Sequence, residues 1–255
     1  MEFEIKRKNA LQSVLVYIIV MYLVSSLLGS LFGLIIKQTG TNLTEGLANT
    51  LNGILQLLIY AILFVGLFLI NRHDMFDEAK GLKDKNYNTV YRIIAGFGIF
   101  YLINILCNTL TTSIDSYASF YNNILGLHKN FGVVSENQSQ IEDMMHSGGA
   151  FFMFVSAVLV GPICEELVFR KSFFNLTKSD EINLLLSSFF FGMIHLFSSI
   201  GTYSFVEIYT MAASYIASGL ALGYIYLKNN KNIWIPIAVH MLSNLISMIA
   251  ILFVK

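Results

Sequence analysis

Residues 154–170 read Phe-Val-Ser-Ala-Val-Leu-Val-Gly-Pro-Ile-Cys-Glu-Glu-Leu-Val-Phe-Arg, an apolar run interrupted by two adjacent glutamates and one arginine. A run of about 20 apolar residues is long enough to cross a bilayer as a helix. An ionisable side chain at the centre of such a helix costs roughly 2.5–3.5 kcal/mol on insertion scales, so it is usually functional. The stretch therefore predicts a transmembrane helix with a functional site inside it.

The composition of the whole chain favours a membrane protein. Of 255 residues, 55% are hydrophobic and 13% are charged, about half the charged share of a soluble domain. This excludes an ordinary cytosolic globule and a disordered chain. The 16 basic residues balance the 16 acidic ones, so we expect no nucleic-acid partner. Cys107 and Cys164 lie in apolar runs without a C-x-x-C pair, which is typical of buried hydrophobic residues.

Seven apolar runs predict an all-α bundle of seven transmembrane helices. The runs cover residues 10–36, 53–70, 90–110, 151–176, 182–198, 205–227 and 233–254. The first is longer than the apolar core of a signal peptide, so we expect a retained helix. Between the third and fourth runs, an outer amphipathic helix is predicted by apolar residues at helical spacing. These are Ile114, Tyr117, Ala118, Tyr121, Leu125 and His128.

The chain thus divides into two parts. Residues 1–149 form an amino-terminal region of three spans and the outer segment, and residues 150–255 form a core of four spans. Alternating loops place 12 Lys and Arg residues on one side of the membrane and 3 on the other, with Arg170 counted in neither set. Because positive charge is enriched in cytoplasmic loops, we predict a multi-pass protein of the cell membrane with its N-terminus in the cytoplasm.

Three clusters of polar residues fall inside these spans: Glu165, Glu166 and Arg170 in the fourth, His195 in the fifth, and His240 with Asn244 in the last. Depth allows the clusters to meet if the fourth helix continues through Leu176. Glu166 and Arg170 are four residues apart and can pair on one helix face. Glu165 points about 100° away and remains available for chemistry. Gly219 and Gly223, also four apart, predict close helix packing.

Glu165-Glu-x-x-x-Arg170, Phe191-x-x-x-His195 and His240-x-x-x-Asn244 resemble the three motifs of the CPBP family, the CAAX proteases and bacteriocin-processing enzymes. The segments 218–228 and 234–240 are also similar to those that precede the third motif. The resemblance covers about residues 151–250, in the same order and on separate spans. The family includes the type II CAAX-prenyl endopeptidases. Its members are often described with eight spans, so the resemblance implies seven or eight transmembrane helices, with any additional one in the amino-terminal half.

This resemblance implies a glutamate-dependent intramembrane endopeptidase that uses no metal. Glu165 with His195 would activate a water, and His240 with Asn244 would bind the developing oxyanion. Glu166, Arg170 and Phe191 would support these four. The implied partners are a peptide or protein substrate and the lipid bilayer. The implied substrate is a membrane-associated protein or a secreted precursor of pheromone or bacteriocin type, or one with a CAAX-like C-terminus.

Three alternatives remain open from the residues. Two glutamates and two histidines are suitable zinc ligands, although H-E-x-x-H is absent. A non-catalytic membrane scaffold or bacteriocin self-immunity protein could keep the same motifs. A transporter would show inverted repeats and broken helices; we find no repeat, although Gly161-Pro162 could break the fourth helix.

The predicted topology can be tested with reporter fusions truncated at Asp84 and at Asn137. Three spans with a cytoplasmic N-terminus put Asp84 inside and Asn137 outside, so paired alkaline phosphatase and fluorescent reporters are expected to give opposite signals. Reporters on the same side would contradict the span count.

Overall fold

The computed structural model describes residues 2–40, 43–83, 86–125, 136–199, 203 and 205–253. Its main elements are eight helices, which confirms the predicted all-helical membrane bundle. We label them α1 (Glu2–Thr39), α2 (Glu45–Lys83), α3 (Asn86–Leu125), α4 (Glu136–Met145), α5 (Ala150–Asn175), α6 (Asp180–Ile194), α7 (Phe205–Lys228) and α8 (Trp234–Phe253).

Among the described residues, five helices are long and apolar enough to cross a membrane: α1, α2, α3, α5 and α8. The predicted fifth and sixth spans form α6 and α7, which are not among these five. With 15 residues, α6 is about 22 Å long, short of the roughly 30 Å hydrocarbon core. The predicted outer helix is described only in part, because α3 continues through Leu125 and His128 lies outside the described residues.

The apolar residues divide between the inside of the bundle and its surface. Leu63, Leu67, Leu167, Leu222 and Val239 are fully buried where α2, α5, α7 and α8 meet. Large aliphatic and aromatic side chains along the outer helix faces are exposed instead, which suits a surface solvated by lipid tails rather than water.

Helix α5 carries the two glutamates on a short α-helical turn, Gly161–Glu166, between two π-helical segments, Val155–Val160 and Leu167–Ser172. Pro162 has no amide hydrogen to donate, and the wider π turns let the helix pass it without ending. The helix continues to Asn175, and Ser179 caps α6 by accepting from the Ile182 amide. The predicted extension beyond Arg170 is therefore confirmed.

Helices α6 and α7 approach closely at glycines, as the G-x-x-x-G spacing predicts. A Cβ atom on Gly219 would lie 2.8 Å from the Ser188 Cα, and one on Gly223 would lie 2.5 Å from a Leu184 methyl. The first of these contacts is with backbone, which cannot move aside as a flexible side chain can. Gly219 therefore fixes the distance between the two helices.

A polar cluster joins α2, α5 and α8 at the predicted cytoplasmic ends. Glu78 accepts from the Lys171 ammonium and, at 2.6 Å, from the Ile233 amide just before α8. Lys171 also lies 3.0 Å from Asp74, and the Trp234 indole donates to the Met75 carbonyl at 2.9 Å. These contacts fix where α8 starts and therefore the depth of the polar residues on it.

Gly219→Ala is expected to destabilise the protein by about 1–3 kcal/mol, because the new methyl group must displace the α6 backbone. Gly98→Ala on α3 is the matched control, since a Cβ atom there meets nothing within 4 Å. Both variants gain the same helix propensity, about 1 kcal/mol. Thermal unfolding in detergent compares them, and equal melting temperatures would contradict the close α6–α7 packing.

Candidate active site

The predicted site residues meet at a cavity of about 870 Å³ inside the bundle, which we call the central cavity. Glu165, His195, His240 and Asn244 all line it, although they come from three different helices or helix ends. The structure therefore brings together all four residues that the sequence singles out for chemistry.

The expected pair on α5 is present and completely buried. The Arg170 Nε atom lies 3.0 Å from Glu166 Oε2, and neither side chain is exposed. Arg170 also donates through Nη2 to the Gly219 carbonyl at 3.4 Å, and its guanidinium carbon lies 4.7 Å from the centre of the Phe191 ring. Arg170 thereby connects α5 to α7 and to α6.

His240 contacts both glutamates, which the sequence does not predict. Its Nδ1 atom lies 2.9 Å from Glu166 Oε1, and its Nε2 atom lies 3.8 Å from Glu165 Oε2. The sequence predicts the Glu166–Arg170 pair and leaves Glu165 outside it, but it does not predict His240 as a neighbour of both carboxylates. An imidazole has a nitrogen on each side of its ring, so it reaches two carboxylates that leave α5 in different directions.

Glu165 is held from the other side by Tyr60 on α2. The Tyr60 hydroxyl donates to Glu165 Oε1 at 3.2 Å. Gly161 lies beside the Tyr60 ring, and a Cβ atom there would come within 2.8 Å of the Ser156 carbonyl oxygen on α5 itself. Tyr60 lies in the apolar run 53–70, where a tyrosine is unremarkable in the sequence, so the sequence analysis misses it.

His195 follows directly on the last residue of α6 and is oriented by two contacts. Its Nδ1 atom lies 2.7 Å from the Phe191 carbonyl oxygen. Because a carbonyl oxygen only accepts, Nδ1 carries the proton and Nε2 is the acceptor of the neutral ring. The ring stacks on Tyr215 at 4.6 Å and 16°, a second aromatic residue that the sequence analysis misses.

Asn244 lies one helical turn beyond His240 on α8, as its spacing predicts. Its Nδ2 atom donates to the Ala157 carbonyl on α5 at 2.8 Å. An amide nitrogen has two hydrogens, so one of them is available to a group in the central cavity. The carbonyl of Ala157 fixes which way the amide faces.

Phe191 packs against both histidines. Its ring centre lies 4.8 Å from that of His195 and 5.8 Å from that of His240, in addition to its contact with Arg170. These contacts restrict the orientation of both imidazoles, and the supporting role expected for Phe191 stays a prediction.

The zinc alternative requires three or more ligands close together. In the part of the chain that the structure describes, no group of three or more His, Cys, Asp or Glu side chains is placed to hold a metal ion. Glu166 is occupied by Arg170 and His240, and the Glu165 carboxylate accepts from a tyrosine. The metal-free mechanism stays a prediction, and chelation of the purified protein is its test.

Comparison with known proteins adds independent information. Residues 147–246 match the model of the family described as "Type II CAAX prenyl endopeptidase Rce1-like". The chain is 29% identical over 168 residues to a Bacillus subtilis (strain 168) protein named "Putative membrane peptidase YdiL". That match covers 64% of this chain and 57% of the relative's length. No solved structure matches the chain.

The helical bundle with buried Glu, Arg and His side chains around one cavity defines a class of polytopic membrane protein with a polar site inside the membrane. The family match and the relative support the CPBP resemblance: residues 147–246 are similar to the type II CAAX prenyl endopeptidases of the Rce1-like family. The resemblance seen in the three sequence motifs is therefore confirmed.

The buried Arg170–Glu166 pair predicts that the two glutamates differ in their effect on stability. Glu166→Gln leaves Arg170 as an uncompensated buried charge, so we expect a loss of about 3–5 kcal/mol in stability and a fall in membrane abundance. Adding Arg170→Gln removes that charge and is expected to restore part of the abundance.

Glu165→Gln is the matched control, because it removes the carboxylate of the adjacent residue and leaves the ion pair between Arg170 and Glu166 intact. Glu165→Gln is expected to accumulate normally in the membrane. Adding Arg170→Gln to it is expected to bring no gain in abundance. Quantitative immunoblots of membranes compare the variants. Normal abundance of Glu166→Gln would contradict the structural role of the pair.

Proposed function

We propose that the protein is an intramembrane endopeptidase of the CPBP type, in which Glu165 activates a water molecule. The observation that carries the proposal is that the two glutamates of α5 have different surroundings. Glu166 is fully buried and engaged by both Arg170 and His240, whereas Glu165 lines the central cavity. A carboxylate that faces a cavity beside an imidazole is suited to general base catalysis.

The proposed reaction begins with a water held between Glu165 and His195. Glu165 takes a proton from this water while His195 accepts a hydrogen bond at Nε2 and orients it. The oxygen attacks the carbonyl carbon of the scissile peptide bond, which places a negative charge on the carbonyl oxygen. When the tetrahedral intermediate collapses, the carbon–nitrogen bond breaks and Glu165 returns its proton to the leaving amine.

His240 and Asn244 are the proposed donors to the oxyanion. The second hydrogen of the Asn244 amide is available because only one is used by Ala157. His240 donates from Nε2 when both ring nitrogens carry protons, a form that has the Glu166 carboxylate on one side and the Glu165 carboxylate on the other. One such donor contributes roughly 10²–10³-fold to catalysis.

The proposed setting is the cell membrane, with the N-terminus in the cytoplasm. There the protein would mature a membrane-associated protein or a secreted peptide precursor of the pheromone or bacteriocin type, or act on a CAAX-like C-terminus. The name of the Bacillus subtilis relative, a membrane peptidase, supports the reaction class.

Glu165→Gln is expected to lower peptide cleavage by roughly 10²–10⁴-fold, because the amide keeps the size of the side chain but cannot take a proton from water. The measurement is the rate of new N-termini formed from a peptide library by purified protein. Glu45→Gln, at the exposed start of α2, is the control and is expected to keep full activity. Full activity of Glu165→Gln would contradict the proposed base, and the absence of cleavage by the wild type would favour a scaffold or immunity role.

Cleavage is also expected to survive strong chelators, since the proposed mechanism assigns every proton transfer and charge to side chains. Purified protein is treated with EDTA and then with 1,10-phenanthroline, and the same library is digested. Loss of cleavage that added zinc restores would reverse the assignment in favour of a metalloprotease.

A further inference from the structure

The central cavity does not end at the proposed catalytic residues but extends along the bundle toward α4. On α2 it is lined from Tyr60, which holds Glu165, to Asn49, and on α8 from His240 to Ile251. Both intervals are eleven residues of regular helix, which corresponds to about 16 Å. Two separate helices thus give the same length for the path from the cavity's α4 end to Glu165.

This length fits a short stretch of extended polypeptide. At about 3.3 Å per residue, a path of roughly 16 Å holds about five residues. The volume of about 870 Å³ is within the range of pockets that enclose a ligand of this size. The cavity is therefore long enough to enclose several residues on one side of the scissile bond.

The walls of this path are rich in uncharged amides. Asn49, Asn52 and Gln56 line it from α2, and Asn137 and Gln140 line it from α4. A carboxamide offers both a donor and an acceptor, as a peptide group does, so these side chains can pair with an extended backbone. Helix α4 is held in place over α5 and α8 by Met144 and Met145, which pack in one buried cluster with Met153 and Met248.

Between Glu165 and α4, the charges that line the path are carboxylates. Among the described residues that line the cavity there is no lysine or arginine, whereas Asp143 and Glu165 both carry carboxylates, and the two histidines lie at the Glu165 end. A peptide that ends three residues after its scissile bond would place its free carboxylate about 10 Å from Glu165. In the part of the chain that the structure describes, no lysine or arginine lines the cavity to bind it there, and the two carboxylates would repel it.

We infer that the site takes an internal, extended segment of a longer polypeptide, held along the central cavity over about five residues, and disfavours a segment that ends in a free carboxylate near the scissile bond. The inference rests on the proposed function, since it names the substrate class of the same site. Of the substrates proposed above, the inference favours a longer precursor that is cleaved internally over one that is cleaved close to its carboxy terminus. Asp143, at the α4 end of the cavity, would attract basic residues of the bound segment, so the site favours substrates that carry Lys or Arg there.

The test digests one proteome-derived peptide library in two forms, with free and with amidated C-termini, and maps the cleavage sites by mass spectrometry. We expect sites at least about five residues from a free C-terminus, and at least tenfold more cleavage near the terminus once it is amidated. Cleavage concentrated three residues before a free carboxylate and lost on amidation would overturn the inference while leaving the peptidase activity intact. Equal cleavage by the wild type and Glu165→Gln would instead overturn the proposed function itself.

A charge variant tests the role of Asp143. Asp143→Asn is expected to lower the preference for Lys and Arg near the scissile bond by about two- to fivefold, in line with an exposed charge pair. Glu142→Gln is the matched control, because it removes an equal charge from the neighbouring position, which does not line the cavity. An unchanged preference in Asp143→Asn, or equal changes in both variants, would contradict the electrostatic part of the inference.

Discussion

The buried chain of contacts Arg170–Glu166–His240 is the interaction on which the rest of the site depends. Arg170 and Glu166 are fully buried at 3.0 Å, and His240 contacts the same carboxylate at 2.9 Å. Moving an ion out of water costs several kcal/mol even after relaxation, so each charge is tolerable only while its partners stay in place. The chain thereby links α5 to α8 through His240 and to α7 through the Gly219 carbonyl. It also occupies Glu166, and this leaves the neighbouring Glu165 as the carboxylate at the central cavity.

Features within one helix could be predicted from the sequence, whereas contacts between distant helices could not. The Glu166–Arg170 pair follows from a four-residue spacing, and the shared cavity follows from the depth of three polar clusters. The bridging position of His240 depends on how α8 rotates against α5, which no local spacing specifies. Tyr60 and Tyr215 are found only in the structure because tyrosines are common in apolar helices. Helix α6 is shorter than its predicted span because it ends at the site, where His195 follows it.

The fold combines a polar interior with an apolar exterior. Backbone groups in a bilayer must be satisfied within the chain, which restricts irregular structure to places lined by protein. The first π-helical segment of α5, through Ala157, and the end of α6, through Phe191 and Ile194, are such places, and both border the central cavity. Gly219 supplies further room, because its missing side chain lets α7 approach the backbone of α6. The departures from regular helix in α5 and at the end of α6 therefore lie where the site is formed.

The central claim is that Glu166 is committed to His240 and Arg170 while Glu165 remains at the cavity. The most direct measurement is the nitrogen NMR spectrum of protein labelled with ¹⁵N-histidine in detergent micelles, with His240 and His195 assigned by substitution. The account predicts that Glu166→Gln shifts the Nδ1 resonance of His240 strongly and leaves the Nδ1 resonance of His195, which donates to the Phe191 carbonyl, in place. A His240 resonance that does not respond to Glu166→Gln would contradict the account.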